Sequence, residues 1–257
     1  MKLNKRYASS PFKKNIIAMS LLSLTGFASA GTMGAVKVPH PWQGVYIGLN
    51  GGGIWAESPF TWTDFGATFF PGLDTAIAAA ANATLNSSGF IGGGQIGANA
   101  QYGNYLLGVE LDIDYTDLDA NRYASLNGVS NAITEHVSTD WLSTIRLRMG
   151  YAQNSWLLYG TAGLALTQVQ FSDQVCLPSG SCNSQSQGKN QSGWTAGAGA
   201  EWKFAANWSA KAEYLYVDFG SSAYTSVLVP SMTNPTIRHH HDLTANIARL
   251  GVNYTWG

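Results

Sequence analysis

From Tyr105 to Tyr115 the chain alternates without a break. Tyr105, Leu107, Val109, Leu111, Ile113 and Tyr115 fall on one face, with Gly108, Glu110, Asp112 and Asp114 on the other, joined by Leu106 near the turn. A period of two is the signature of a β-strand, whose successive side chains point to opposite faces. Eleven residues is long for a strand of a soluble domain, which averages about 5–6. It suits a tilted strand crossing a bilayer, which needs about 9–11. The apolar face would then meet lipid and the charged face an enclosed interior.

The pattern recurs. Trp141, Ile145, Leu147, Met149 and Tyr151 share a face with Ser143 and oppose Thr144, Arg146, Arg148 and Gly150. Alternating Trp194–Phe204 sets Glu201 and Lys203 inward, Trp208–Val217 sets Lys211 and Glu213 inward, and Thr244–Trp256 sets Arg249 inward. Val45–Trp55, Gly89–Tyr102 and Trp156–Gln170 are rich in Gly and Ala and complete a set of eight. Tight turns at Tyr102–Tyr105, Ala152–Ser155 and Ala205–Asn207 alternate with long polar links at about Glu57–Ser88, Thr116–His136, Ser172–Gln191 and Gly220–Asp242. The predicted fold is all-β: an eight-stranded antiparallel transmembrane β-barrel, up-and-down, with short periplasmic turns and long extracellular loops.

The N-terminus fits export. Lys2, Lys5, Arg6, Lys13 and Lys14 precede the apolar run Ile16–Phe27 and the small residues Ala28-Ser29-Ala30, the layout of a secretory signal peptide. The expected organisation is a signal peptide at 1–30, an N-terminal periplasmic segment at 31–41 and a barrel domain at 42–257. Loss of the leader removes five of the 14 basic residues and none of the 15 acidic ones, leaving a formal charge of −6. With so little positive charge a nucleic-acid partner is not expected. Aromatic residues at 12% against only 11% charged rule out a disordered chain.

The inward faces carry Glu110, Asp112, Asp114, Glu201 and Glu213 against Arg146, Arg148, Lys203, Lys211 and Arg249, five acids to five bases. Glu110, Asp112 and Asp114 are expected beside Arg146 and Arg148, and Glu201 and Lys203 beside Lys211 and Glu213. The interior of an eight-stranded barrel is just wide enough for side chains to fill it. Balanced charges there predict a salt-bridged plug.

Several other features carry residue types capable of chemistry. Gly92-x-Gly94-x-x-Gly97 matches a dinucleotide fingerprint in letters but continues as a strand, so no cofactor is expected. Cys176 and Cys182, the two cysteines of an exported chain, are expected to form a disulfide. His239 and His241 of the run His239-His240-His241 could converge on one face, with His136 approaching them, as a weak candidate metal or haem site. His136 with Ser138 or Asp140, and His241 with Asp242, supply the residue types of a hydrolase without a spacing that selects them. No catalytic residue is assigned.

Trp42-Gln43-Gly44-Val45-Tyr46-Ile47-Gly48 resembles the opening strand of small proteobacterial outer-membrane barrels, the porin-like or opacity-type family that includes the outer membrane immunogenic proteins. Gly89–Gly97, Leu107–Tyr115, Arg146–Tyr151, Leu158–Gly163 and Ala212–Tyr214 are similar to its later strands. Arg249–Trp256 resembles the assembly signal of such barrels, with Gly251, Tyr254 and Trp256 as its marks, although Gly257 follows the last aromatic. The resemblance implies a bacterial outer-membrane location, no catalysis and a structural or cell-surface role as antigen or adhesin. The alternatives are a small porin-like channel, loop-borne haem or metal binding, and a lipid-modifying barrel enzyme. The partners it implies are outer-membrane lipid and lipopolysaccharide, the barrel-assembly machinery, and host or extracellular ligands met through the loops by a monomer.

Overall fold

The computed structural model describes residues 41–63, 83–126, 129–176, 182–227 and 236–256, at several strand tips by backbone alone. The expected signal peptide at 1–30 and the expected periplasmic segment, apart from residue 41, lie outside the described residues.

Eight antiparallel strands close into one barrel in sequence order: β1 (Gly44–Thr63), β2 (Ala83–Tyr102), β3 (Tyr105–Leu126), β4 (Val129–Gln153), β5 (Trp156–Cys176), β6 (Cys182–Lys203), β7 (Trp208–Val227) and β8 (Thr236–Trp256). Closure is made by β1 against β8, in register from Val45↔Trp256 to Thr63↔Arg238. The three tight turns fall where the sequence places them. In the first, Tyr102 pairs with Tyr105 around Gly103-Asn104, and Gly103 takes a left-handed φ of 60°. Such a two-residue hairpin needs that conformation to match the twist of its strands.

The two faces sort as the alternation predicts. Leu107, Val109, Ile113, Ile145, Leu147 and Met149 are exposed on the outside, whereas Glu110, Asp112, Asp114, Arg146 and Arg148 are buried inside. Aromatic side chains mark the two edges of the apolar band. Tyr105 pairs with Tyr151 at the lower edge and Tyr115 with Trp141 at the upper. Trp156 stacks on Trp202, and Trp208 meets Tyr254 edge-on, both near the lower edge. Ten residue steps of about 3.3 Å, tilted by about 40°, separate the two belts by ~25 Å, the height of an outer-membrane apolar band.

The strands do not stop at the upper belt, and this corrects the predicted loops. They run 20 to 25 residues. Nearly all of Thr116–His136 is the paired tip of β3 and β4, and much of Ser172–Gln191 is paired strand of β5 and β6. Glu57–Ser88 and Gly220–Asp242 likewise contribute residues to β1, β2, β7 and β8. The reason is that a backbone ladder, once in register, continues wherever both strands offer N–H and C=O groups. Above the belt the outward face meets water instead of lipid, so these Ser-, Thr-, Asn- and Gln-rich tips lose the apolar outer stripe that marks a membrane strand.

Beyond the upper belt the wall divides. Pairing of β2 with β3 ends at Ile91↔Thr116 and of β6 with β7 at Trp194↔Asp218. The extension is therefore two sheets, β3–β6 and β7-β8-β1-β2, facing each other. Register shifts mark the same level, at Tyr115/Leu118, Thr139/Leu142 and Asp218/Ser221. In the last, Gly220 takes a φ of 64°, a conformation open to glycine without strain.

Candidate functional site

The inward register brings the charged residues of β3, β4, β6, β7 and β8 to one level of the lumen. Glu110 faces Arg146 across the β3/β4 ladder, and Glu201 faces Lys211 across β6/β7. The longer contacts span the lumen. Arg146 on β4 binds Glu110 and, through Nη2, Asp112 Oδ2 at 2.8 Å, while Nη1 lies 3.1 Å from Glu213 Oε1 on β7. Arg148 reaches Glu201 Oε2 on β6 at 2.8 Å and Glu110 Oε2 at 3.3 Å. Arg249 on β8 holds Asp114 Oδ2 and Glu213 Oε2, both at 2.7 Å, and Asp112 Oδ1 at 3.4 Å. Lys211 Nζ is 3.3 Å from Glu110 Oε1 and 3.7 Å from Glu213 Oε2. Each cation thus ties together at least two strands.

The network holds five acids and four bases, not five and five. Lys203 is only half-buried. It pairs with Ser209 rather than with Glu213, donates to the Ala206 carbonyl at 3.2 Å, and lies over the Trp42 ring at 5.3 Å. Its register is inward, but β6 ends there, and a flexible lysine stem lets the ammonium reach the mouth.

Uncharged residues that the charge pattern did not reveal complete the plug. Tyr46 donates to Glu110 Oε2 at 2.6 Å and accepts from Arg148 Nη1 at 2.6 Å; Tyr159 donates to Glu213 Oε1 at 2.9 Å. The Arg148 guanidinium lies 4.0 Å from the centre of the Tyr159 ring. Ser209 and Asn253 donate to Glu201, and Thr144 to Asp112. Space for the two rings comes from glycine. A Cβ on Gly97 would collide with the Tyr46 ring, and one on Gly199 with the Tyr159 hydroxyl. Both tyrosines stand in the inward register of their strands, so parity alone would have found them.

Apolar layers seal the network above and below. On the periplasmic side Trp42, Leu106, Ala152, Leu157 and Tyr159 cluster. Trp42 is anchored there by its backbone N–H to Gln101 Oε1 at 3.1 Å and its indole N–H to the Asn154 carbonyl at 3.2 Å. On the other side Ile54, Ile91, Leu142, Leu215, Val217 and Ile247 form a second buried layer. Charges so enclosed are shut off from water, where each missing partner is costly.

The remaining candidates lie elsewhere. Cys176 and Cys182 are bonded, joining the outer ends of β5 and β6. His136 sits within β4 rather than at a strand end, its Nδ1 2.8 Å from Asn121 Oδ1 and 3.7 Å from Asp119 Oδ2. His239 and His241 pair through β8 with Trp62 and Phe60 of β1, and their side chains lie outside the described residues. Strands β4 and β8 stand on opposite walls of the barrel, so the expected approach of His136 to His239 and His241 does not occur. Strand order, invisible to sequence spacing, separates them. Among the described residues no cluster of three metal-ligating side chains occurs. Tyr254 and Trp256 stack edge-on at the lipid face, and Gly251 packs against Lys211.

A closed barrel with a girdled apolar exterior and a charge-filled interior defines an integral outer-membrane β-barrel protein. Residues 19–255 match the family described as outer membrane protein beta-barrel domain, and the chain belongs to that family. It is 29% identical to the 31 kDa outer-membrane immunogenic protein of Brucella melitensis biotype 1, over 94% of this chain and 99% of that one. It is 32% identical to the 22 kDa outer membrane protein of Rhizobium leguminosarum bv. viciae, over 74% of this chain and 70% of that one. Among solved structures, the outer membrane protein OprG from Pseudomonas aeruginosa aligns at 13% identity and a TM-score of 0.49, covering 83% of this chain and 97% of that one. The protein resides in the outer membrane, and the family implied by the sequence motifs is the one found.

Proposed function

We propose that this barrel is a non-catalytic, non-conducting scaffold that presents its extracellular strand tips for cell-surface interaction, as an antigen or adhesin. The observation that carries the reading is the sealed lumen. Four buried cations bridge five buried acids between two apolar layers, and that leaves no wide water path for a solute. A porin-like role needs such a path. The strand tips support the same reading. About ten further residues per strand carry β3 and β4 beyond the Tyr115–Trp141 belt, a wall of roughly 25 Å at ordinary rise and tilt. The names of the Brucella relatives call those proteins immunogenic.

The test pairs planar-bilayer recording with cell binding. The wild-type barrel is expected to show near-zero conductance. Cells expressing it are expected to adhere to immobilised matrix glycoprotein, and to lose that adherence when connections 64–82, 127–128, 177–181 or 228–235 are shortened one at a time. A large, steady wild-type conductance with unchanged adherence in all four variants would overturn the proposal.

A further inference from the structure

The outer face of the β5–β6 hairpin is one continuous column that runs from lipid to the strand tips. Leu164 pairs with Trp194 at the top of the apolar band, and both are exposed. Beyond them the same face continues through Gln168↔Asn190, Ser172↔Ser186 and Gln174↔Ser184, up to the disulfide. Directly opposed residues of an antiparallel pair share a face, so this register sets the amides and hydroxyls side by side on the outside. No residue of the column is charged, whereas charged residues make up about 25–35% of an ordinary soluble surface.

Elsewhere on the circumference the level just above the belt is acidic. Glu57 stands two residues beyond Trp55 on β1, Asp117 two beyond Tyr115 on β3, and Asp140 next to Trp141 on β4, all exposed. Strand β2 is uncharged there, at Thr84 and Ser88, but it is a single strand between the acids of β1 and β3. The neutral β5–β6 sector is two strands wide. Asp140, which accepts from Gln170 Nε2 at 3.4 Å, and Asp218 on β7, which pairs with Trp194, mark its two borders. Aromatic belts sit at the headgroup level of a membrane, so the acids and the base of the column meet the headgroups of the outer leaflet. The column faces sideways along the membrane plane, toward molecules that stand in the same leaflet.

We propose that the outer face of the β5–β6 hairpin is a docking site for lipopolysaccharide, the anionic, saccharide-bearing lipid of the outer leaflet. An acyl chain lies against the exposed Leu164 and Leu166, and the core sugars lie on the column above. Two features of the face select that occupant. It continues without a break from the lipid-facing band, so one molecule with an apolar end and a polar end covers both parts. Its hydroxyls and amides each donate and accept, which matches a polyhydroxylated headgroup, and its lack of carboxylates spares the phosphates the repulsion they meet on the acidic strands. The surface role proposed above does not depend on this site, since it rests on the sealed lumen and is tested through the connections between strands.

The folded barrel in detergent is titrated with lipopolysaccharide that lacks its outer polysaccharide, and the retained lipid is counted by native mass spectrometry. Ser186→Asp places an acid in the column, and Gln168→Ala combined with Asn190→Ala removes one row of its amides. Thr84 is exposed on β2 at a similar height, and Thr84→Asp adds the same charge there as the control. Heat-modifiable gel migration confirms that each variant is folded; if Ser186→Asp does not fold, the alanine pair carries the test. The wild type and Thr84→Asp are expected to retain lipopolysaccharide equally. The alanine pair should bind it about tenfold more weakly, as for the loss of one or two hydrogen bonds, and Ser186→Asp at least as weakly. Retention should persist in EDTA, since no cation bridge to a carboxylate is needed. No retention by the wild type, unchanged binding in the column variants, or an equal loss in Thr84→Asp would overturn the proposal. So would loss of binding in EDTA, because the acids of the other strands would then hold the lipid through divalent cations. Equal retention of a phospholipid, or of the core saccharide freed of its acyl chains, would overturn it too, because the face would then not read both ends of one lipid.

Discussion

Arg148 on β4 reaches across the lumen to Glu201 on β6, Nη2 to Oε2 at 2.8 Å, with both side chains all but shut off from solvent. The pair joins strands that are not neighbours in the barrel, so it braces the cross-section in a way that no ladder hydrogen bond can. Removing one partner of a buried pair leaves an uncompensated charge, at a cost of about 3–5 kcal/mol. Arg148→Ala and Arg146→Ala are therefore expected to lower the unfolding temperature clearly, read as the temperature at which the folded, fast-migrating gel form is lost. Lys203→Ala, at the half-buried mouth, is expected to cost less than about 1 kcal/mol. Equal stability of all three variants would refute the plug.

Trp42 closes the periplasmic mouth with its ring under Lys203 and its indole N–H on Asn154. Trp42→Ala deletes a large buried side chain, at a cost of about 3–5 kcal/mol. It should also admit water to the lower lumen. Hydrogen exchange at backbone amides around Gln101 and Ala152 is the readout, and unchanged protection there would show that the seal lies elsewhere.

Gly97 and Gly199 leave room for the Tyr46 and Tyr159 rings. Gly97→Val should impair folding, and a second substitution, Tyr46→Ala, should relieve the clash and restore part of the yield. The measurement is the folded fraction after refolding into detergent. Additive rather than compensating effects would show that the crowding is with the strand backbone instead.

The disulfide joins the outer ends of β5 and β6. A protease added to intact cells and cutting between Cys176 and Cys182 should yield one band on a non-reducing gel and two after reduction. The Gly103-Asn104 and Asn154-Ser155 turns, on the periplasmic side, should survive the same treatment. Cleavage at either turn would mean an inverted barrel.

Much of this was legible before the structure. Alternation at Tyr105–Tyr115 and Trp141–Tyr151 assigns each side chain to lipid or lumen, because facing is a local property of an extended backbone. The charged residues of the plug, the turns at Gly103 and Asn154, and the strand number follow from the same reading. The outer tips escaped it. From Asn183 to Gln187 every residue is polar, so nothing in their polarity separates strand from loop. Lys203 was misplaced for a related reason, since parity tells which way a residue points but not how far along the barrel axis it stands.

Partnership across the lumen is a matter of closure. Arg148 meets Glu201, and Arg249 meets Asp114, only because rolling the sheet shut curves β6 round toward β4 and β3 round toward β8 with a particular stagger. The same closure carries His136 to the wall opposite His239 and His241. Side-chain direction repeats every two residues and can be read along one strand, whereas distance across a barrel depends on the stagger summed over all eight.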